Sequence, residues 1–571
     1  MASVQEYLRF KKSNCKNCYK CIRNCPVKAI RFSAGQAHVI KDECILCGHC
    51  FVVCPQNAKE IADATEYVRV LLAGDAPVVA SVAPSFAAYF EGVGFDALSH
   101  ALFALGFSYA EETAVGATLV KRQYEELLSR GEYEILISSC CPSVNLLIRK
   151  YHPAVIPYLA PVVSPMAAHA IDIKHRMPGC KVVFIGPCLS KKAEAEDSLT
   201  DAVLTFEELS SMMAASGITL EKKTDRRPDS RARIFPTDGG IIKTMDFPAE
   251  CEYTRISVSG IDNCIAAIHD IEAGGLGKCF IEMSACSGSC IGGPIMEKYK
   301  NAPVRHYRDI VNYAGKDDFP TDDISNARLL TVHTNISREK YTPTEAEILD
   351  VLRLTGKTKP EDELNCGSCG YPTCREKAIA VLEGKADISM CLPYLMEKAE
   401  RFSDTIVRNN PNGIIVVNED MEIQDINPAA MRMLGVRQKS DVLGELIVRI
   451  FDPLPFTDTL SGAAVVRDKL NYYPEYEKYL EVTVVHDKKS RILIGILRDV
   501  TDAEEERRKK EELGRKTVEV ADEVVERQLR IVHEIASLLG ETAAETKIAL
   551  SKLKETIINE HKDGYDQDTS K

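Results

Sequence analysis

No run in the sequence reaches the roughly 20 apolar residues that a bilayer span needs, so no membrane crossing is expected. Residues 1–12 hold no apolar stretch of the signal-peptide kind, and the cytoplasm is the expected location. There is no basic excess either. The 71 Lys and Arg are outnumbered by 84 Asp and Glu, giving a formal net charge of −13. Without a broad basic face to neutralise phosphates, nucleic acid is excluded as an expected partner. Tryptophan is missing altogether. Cysteine, by contrast, is plentiful for its type, with 21 copies. The number is odd and the expected compartment reducing, so disulfides do not explain them. A chain of 571 residues is too long for one core, and roughly three to five domains are expected.

The first cysteines fall into two matching runs. Cys15, Cys18, Cys21 and Cys25 form C-x2-C-x2-C-x3-C followed by Pro26, and Cys44, Cys47, Cys50 and Cys54 repeat the spacing before Pro55. This is the two-cluster bacterial ferredoxin pattern, in which three thiolates of a run converge on one cubane and the fourth reaches the other. One 4Fe–4S cluster is therefore assigned to Cys15, Cys18, Cys21 and Cys54, and the other to Cys25, Cys44, Cys47 and Cys50. Zinc also takes four thiolates but does not call for a doubled run with prolines.

From about residue 75 to 345, apolar strand-length segments alternate with helical ones. Segments 77–83, 133–137, 181–185 and 278–283 read as strands of a buried parallel sheet. Three run straight into cysteines: Ser138-Ser139-Cys140-Cys141-Pro142, Gly186-Pro187-Cys188-Leu189-Ser190-Lys191, and Ser284-Ala285-Cys286-Ser287-Gly288-Ser289-Cys290. Sites in such sheets form beyond the carboxyl ends of the strands. Cys141, Cys188, Cys286 and Cys290 are thus expected to make one four-thiolate site.

These three ordered segments closely resemble the signature motifs of the FeFe-hydrogenases. The resemblance implies a 4Fe–4S cluster on Cys141, Cys188, Cys286 and Cys290, with Cys290 bridging to a two-iron subsite. That subsite carries CO, cyanide and dithiolate ligands and is inserted by separate maturation proteins. The resemblance further implies heterolytic cleavage of dihydrogen, which needs a proton route. Cys140 matches the proton-transfer cysteine, Lys191 the lysine that donates to an iron-bound cyanide, and Ser85 the segment lining the other cyanide. Glu194, three residues beyond the lysine, matches a family glutamate, although on a helix this spacing also makes a surface ion pair. Some positions depart from the family. Val144 stands where the first motif ends in tryptophan. Gly186 stands where the second opens with methionine, which implies a looser or differently tuned pocket. Met166 stands where high-turnover enzymes carry glutamine. Segment 113–123 resembles the helix before the outer proton-route glutamates, and Tyr124 falls at one of those positions, next to Glu125 and Glu126.

Cys366, Cys369, Cys374 and Cys391 give C-x2-C-x4-C-x16-C around an alanine-rich helix, resembling a small 4Fe–4S domain found in several redox proteins. Residues 401–503 lack cysteine and resemble a PAS domain. They show a strand, an acidic turn, a second strand, an Asn427-Pro428-Ala429 helix start, strands at 479–485 and 491–497, and an Asp499-Val500-Thr501 exit. His486 is the histidine available to a haem there. Beyond Asp502, a charged helix leads to Val524, Ile531, Ile535 and Leu538, a seam for pairing with a second helix and with a second subunit. His533-Glu534-Ile535 resembles the phosphoacceptor helix of histidine kinases. The tail from His561 is polar and expected to be disordered.

The expected architecture is multidomain α/β and α+β. It comprises a two-cluster ferredoxin domain (1–60), an FeFe-hydrogenase-type α/β catalytic domain (61–345), a small 4Fe–4S domain (346–400), a PAS domain (401–503) and a helical dimerisation and signalling segment (504–571). The expected function is a sensory, low-turnover hydrogenase resembling the PAS-containing branch of the family. Its expected partners are dihydrogen, an electron carrier such as ferredoxin, the maturation proteins, a second copy of the chain, and a kinase or phosphatase that carries the output. The alternatives are a metabolic hydrogenase regulated through its PAS domain and a non-enzymatic iron–sulfur scaffold.

Overall fold

In a computed structural model the chain divides into two compact units, residues 1–395 and 396–571. The structure describes residues 7–11, 14–33, 35–223, 230–247, 251–321, 324, 326–339, 341–462, 466–539 and 543–560.

The first unit opens with a lobe built on the doubled cysteine run. Strands β1 (Leu8–Phe10), β2 (Ile30–Ser33), β3 (Gln36–Val39) and β4 (Lys59–Ile61) make two antiparallel pairs, β1 with β4 and β2 with β3. One short helix follows the first cysteines of each run, at Lys20–Arg23 and His49–Val52, and each buries one apolar residue, Ile22 and Phe51.

The middle of the chain holds β5 (Val78–Val82), β6 (Tyr109–Glu112), β7 (Ile135–Ile137), β8 (Lys181–Gly186), β9 (Ala202–Thr205), β10 (Thr254–Ser259) and β11 (Cys279–Ser284). They form two parallel sheets rather than one, in the orders β6-β5-β8-β9 and β10-β11-β7. Strands β5, β7, β8 and β11 are the continuous apolar runs legible in the sequence. The others, like β7, are edge strands. Polar Tyr-Ala-Glu-Glu in β6 and the mostly half-exposed residues of β10 hide those two from a hydrophobicity reading. Cys188 follows β8 of the first sheet, whereas Cys140, Cys141, Cys286 and Cys290 follow β7 and β11 of the second. The helices Ala114–Arg130 and Pro165–Arg176 cross at Gly116, where a Cβ would lie 2.2 Å from the Pro165 carbonyl oxygen and 2.7 Å from the His169 nitrogen. Only glycine permits that approach.

The segment with the last four cysteines packs back onto the N-terminal lobe. Ile22, Ile30 and Phe32 share a buried cluster with Tyr371, Ala380 and Met390. Arg23 Nη2 donates to the Ser368 carbonyl at 3.3 Å, and Lys28 Nζ to that of Gly370 at 3.3 Å. Gly370 has φ +95°, and a Cβ there would sit 3.1 Å from Ile22 Cγ2.

In the second unit, β12 (Gly413–Asn418), β13 (Ile423–Ile426), β14 (Lys469–Tyr473), β15 (Lys478–Asp487) and β16 (Ile492–Asp499) form one antiparallel sheet in the order β13-β12-β16-β15-β14. Alternate residues Ile415, Val417, Val482, Val484, Leu493 and Leu497 face one core with Phe456. Buried Asn427 explains the Asn-Pro-Ala signature. Its Oδ1 accepts from the Ala430 and Ile414 amides at 2.8 and 2.9 Å, and its Nδ2 donates to the Asn412 carbonyl at 2.9 Å. At the exit, Asp499 Oδ1 accepts from the Thr501 hydroxyl at 2.6 Å. Two helices follow, Thr501–Leu539 and Ala543–Glu560, joined by an Asp522–Lys554 ion pair of 2.8 Å. A second helix thus lies against the first within the chain, but the seam residues Val524 and Ile531 stay 52% and 42% exposed. The side chains of Glu534, Ile535, Leu538 and Leu539, and the tail 561–571, lie outside the described residues. No described helix is long and apolar enough to cross a membrane.

Candidate metal centre

Cys141, Cys188, Cys286 and Cys290 line one cavity of about 130 Å³, together with Cys140, Lys191, Ser85, Met166, Phe184 and Glu282. Residues 150 positions apart meet there because two sheets direct their carboxyl ends at the same space. Burial raises the Cys286 thiol, and Cys188, Cys141 and Cys290 raise it further. Burial also raises Cys290, with Cys188 and Cys141 adding to it. A thiol so placed ionises only against a compensating cation, which is the condition a metal cluster meets. Among the described residues no three cysteine sulfurs lie within 4.8 Å of one another. Thiolates closed on one zinc ion at about 2.3 Å sit roughly 3.8 Å apart. The wider set suits a cubane.

The other foreseen groups fall around the same cavity. Lys191 is held charged. Burial works against its ammonium, but Glu194, Cys188 and Cys140 outweigh that and raise it. Its Nζ donates to Glu194 Oε2 at 2.5 Å, to Ser164 Oγ at 2.8 Å and to the Cys140 carbonyl at 3.4 Å. Glu194 thus pairs with Lys191 across one helical turn. Ser85 does not cap its helix, and its buried Oγ has no hydrogen-bond partner. An orphan hydroxyl in a cavity wall beside four thiolates and an ammonium fits a cluster with anionic ligands.

Burial pushes the Cys140 thiol up to about 12, against the lowering effects of the Tyr124 hydroxyl and Lys191. Tyr124 Oη lies 3.2 Å from Cys140 Sγ and 3.1 Å from Ser139 Oγ. The neighbouring glutamates turn elsewhere, Glu125 to the Asp246 amide at 2.6 Å and Glu126 to Arg130 at 2.5 Å. Of the looser or differently tuned pocket expected at Gly186, the structure shows no added room beside the glycine. A Cβ there would lie 2.7 Å from the Phe184 ring, so Phe184 occupies the space a larger residue would use. The sequence reading missed Glu282, a buried cavity acid raised to about 8 by burial. Its signal was a lone carboxylate inside the apolar run Phe280-Ile281-Glu282-Met283.

Two further sets of four cysteines gather elsewhere in the first unit. Cys25, Cys44, Cys47 and Cys50 line one small cavity, and Cys366, Cys369, Cys374 and Cys391 line another. Burial raises the Cys21 thiol, with Cys54, Cys15 and Cys18 contributing. Cys47 also lines the central cavity, so the N-terminal lobe abuts the central site. Cys391 Sγ accepts from the buried Lys357 ammonium at 3.6 Å. His486 Nε2 lies 3.6 Å from Glu419 Oε1.

Cysteines gathered in fours at separate sites define an iron–sulfur protein. Comparison with known proteins is specific about its domains. Residues 76–294 match the iron only hydrogenase large subunit, C-terminal domain. Residues 7–66 match a 4Fe–4S dicluster domain, residues 362–393 an Fe–S cluster family, and residues 401–468 a PAS domain. The chain is 26% identical to the periplasmic Fe hydrogenase large subunit of Nitratidesulfovibrio vulgaris, over 51% of this chain and 87% of that protein. It is 25% identical to the NADP-reducing hydrogenase subunit HndD of Solidesulfovibrio fructosivorans, over 46% of this chain and 58% of that protein. A solved variant of the FeFe-hydrogenase HydA1 from Chlamydomonas reinhardtii aligns at a TM-score of 0.39 and 18% identity, covering 48% of this chain and 100% of that one. The family matches give the chain a region like the iron-only hydrogenase large-subunit domain, together with a 4Fe–4S ferredoxin domain and a PAS domain.

Proposed function

We propose that the chain is a sensory FeFe-hydrogenase that cleaves dihydrogen reversibly at low turnover and passes its redox state to the PAS and helical elements. The observation that carries this reading is the single cavity shared by Cys141, Cys188, Cys286, Cys290, Cys140, Lys191 and Ser85. In it, the four cysteines would hold a 4Fe–4S cluster, and Cys290 would also hold a two-iron subsite with CO, cyanide and dithiolate ligands. When bound, that subsite supplies the metal centre at which dihydrogen is split. Cys140 takes up and returns the proton, Lys191 and Ser85 orient the anionic ligands, and Glu194 keeps Lys191 charged and aimed. Apolar Met166 and Phe184 exclude water.

The ferredoxin lobe holds two further clusters, on Cys15, Cys18, Cys21 and Cys54 and on Cys25, Cys44, Cys47 and Cys50, and a fourth 4Fe–4S cluster is held by Cys366, Cys369, Cys374 and Cys391. Its packing against the ferredoxin lobe supports an electron path that ends there rather than at the surface alone. Cys391 is followed in sequence by the helix Leu392–Asn409 and then by the PAS domain. A homodimer through the exposed Val524 and Ile531 seam, and a kinase or phosphatase as reader, complete the proposed pathway. Maturation proteins load the subsite, and a ferredoxin-type carrier exchanges electrons. A chain with 21 cysteines, every one unpaired among the described residues, suits a reducing cytoplasm.

The test is to expose matured protein to dihydrogen and follow the Cys366–Cys391 cluster by electron paramagnetic resonance, beside turnover with saturating electron donor. Slow turnover with reduction of that cluster is the result expected of a sensor. High turnover with that cluster unchanged would identify a metabolic enzyme instead.

A further inference from the structure

Among the described residues, proton exit by way of Cys140 stops inside the protein. Its thiol meets the Tyr124 hydroxyl, which also accepts from the Ser139 amide at 2.9 Å, and Ser139 Oγ donates to the Val162 carbonyl at 2.6 Å. Tyr124 is fully buried and the chain of contacts ends on backbone. Lys191 reaches the partly exposed Glu194, but a charged ammonium only donates and cannot receive a proton from the cavity. The Glu282 carboxylate ends on the Ile242 amide at 3.0 Å.

A different wall residue leads outward. Thr113 lines the cavity, and its Oγ1 lies 2.8 Å from Ser81 Oγ. Ser81 Oγ lies 2.7 Å from His169 Nδ1, and His169 Nε2 lies 3.2 Å from Glu111 Oε2. Ser81, Thr113 and His169 are buried, whereas the Glu111 side chain is 25% exposed. The fold builds this line deliberately. Ser81 and Glu111 are register partners across β5 and β6, and Thr113 is held just past β6 by its amide bond to the Val82 carbonyl at 2.9 Å. The Gly116 crossing brings the helix of His169 close enough to meet them. The charged groups around His169 are Glu111 from β6 and Asp172 and Arg176 from its own helix.

Two other roles fit poorly. Serine, histidine and glutamate resemble an acyl-transfer triad, but Ser81 is 0% exposed and no substrate can reach it. Glu111, His169 and Asp172 sit close enough for a metal ion, yet both carboxylates already bind the Arg176 guanidinium, at 2.5 and 2.8 Å.

We propose that Thr113, Ser81, His169 and Glu111 form a proton conduit between the central cavity and the surface. This rests on the hydrogenase reading above. Thr113, Ser81 and His169 each both donate and accept, and the ionised Glu111 carboxylate accepts at the outer end. A proton entering at Thr113 Oγ1 displaces the hydroxyl proton to Ser81, Ser81 passes its own to His169 Nδ1, and the Nε2 proton leaves through Glu111 to water. No electrons move along this line, and the hydroxyls and ring reset by rotation and return exchange. Glu111 stabilises the imidazolium formed in passing.

The experiment uses full-length matured protein and infrared spectroscopy of the CO and cyanide bands. Band positions are followed against pH, and their interconversion is timed after a dihydrogen-to-argon switch, in H2O and D2O. Ser81→Ala is expected to keep the bands and iron content but slow the proton-coupled interconversion about tenfold or more. Ser81→Thr, which retains the hydroxyl, is expected to restore it. The ring band of isotope-labelled His169 is expected to move in Glu111→Gln, which alters the acceptor at its Nε2. Unchanged rate and pH profile in Ser81→Ala, with bands intact, would overturn the conduit alone. Absence of CO and cyanide bands in the wild type would overturn the hydrogenase reading and the conduit together. Should Ser81→Ala lose iron, Thr113→Val applies the same test at the cavity end, and an unchanged rate there overturns the proposal equally.

Discussion

Replacing Gly370 with alanine tests whether the segment bearing Cys366 to Cys391 is docked on the ferredoxin lobe as the structure has it. Gly370 sits at φ +95°, outside the comfortable range of any residue with a Cβ. The added methyl would lie 3.1 Å from Ile22 Cγ2, 3.2 Å from Ile22 Cβ and 3.3 Å from the Arg23 nitrogen. Ile22 is wholly buried and the Arg23 contact is backbone, so neither side yields easily. The left-handed conformation alone costs about 1–2 kcal/mol, and the crowding adds about 1 kcal/mol. A loss of about 2–3 kcal/mol raises the local opening equilibrium roughly 30- to 150-fold. Native-state hydrogen exchange on helix Cys374–Leu382 reads that opening directly. Magnetic coupling between reduced clusters should weaken in the same variant. Exchange within about threefold of the wild type would mean the two lobes are not joined through this glycine, and the proposed electron path to Cys391 would lose its support.

Cys140→Ala is expected to retain all clusters and the CO and cyanide bands while lowering turnover by roughly 10²-fold or more, measured by dihydrogen evolution; full turnover would remove Cys140 from the proton pathway. Burial alone would raise the Glu111 carboxyl, but hydrogen bonds from His169 and Arg176 overcome it and hold it at about 2. A depressed carboxylate contributes its stability fully above its unfolded value near 4.5 and loses it as pH falls towards 2. After discounting for partial exposure this is worth about 2 kcal/mol. Glu111→Gln should therefore open β5 and β6 more readily at pH 7, with the gap to wild type closing below about pH 4.5, as hydrogen exchange would record. Phe184→Ala should empty the space beside Gly186, cost about 3–5 kcal/mol and admit CO faster to the central cavity, timed by infrared.

The cysteine spacings carried most of what was legible. Local runs such as Cys15 to Cys25 declare their chemistry because ligands three residues apart must share a loop, and apolar β5, β7, β8 and β11 declare themselves because both faces of a parallel strand are buried. Edge strands β6 and β10 carry polar residues, and their place is set by partners far away in sequence. The same limit hid Glu282 and the line through Ser81 and His169. Both depend on which face of a strand or helix meets which neighbour, and that is decided by packing such as the Gly116 crossing. Gly186 shows the converse. A missing side chain reads as empty space in sequence, while in three dimensions the ring two residues earlier folds into it. The return of the last cysteine segment onto the N-terminal lobe has no local signal at all.

Infrared spectroscopy of protein matured with the two-iron subsite, recorded under argon and then under dihydrogen, bears most directly on the claim that Cys141, Cys188, Cys286 and Cys290 anchor a dihydrogen-cleaving centre. Sharp CO and cyanide bands that shift reversibly on admitting the gas, and that vanish in Cys290→Ala while the ferredoxin clusters persist, are the predicted result. A loaded protein without such bands, or with bands indifferent to dihydrogen, would contradict it.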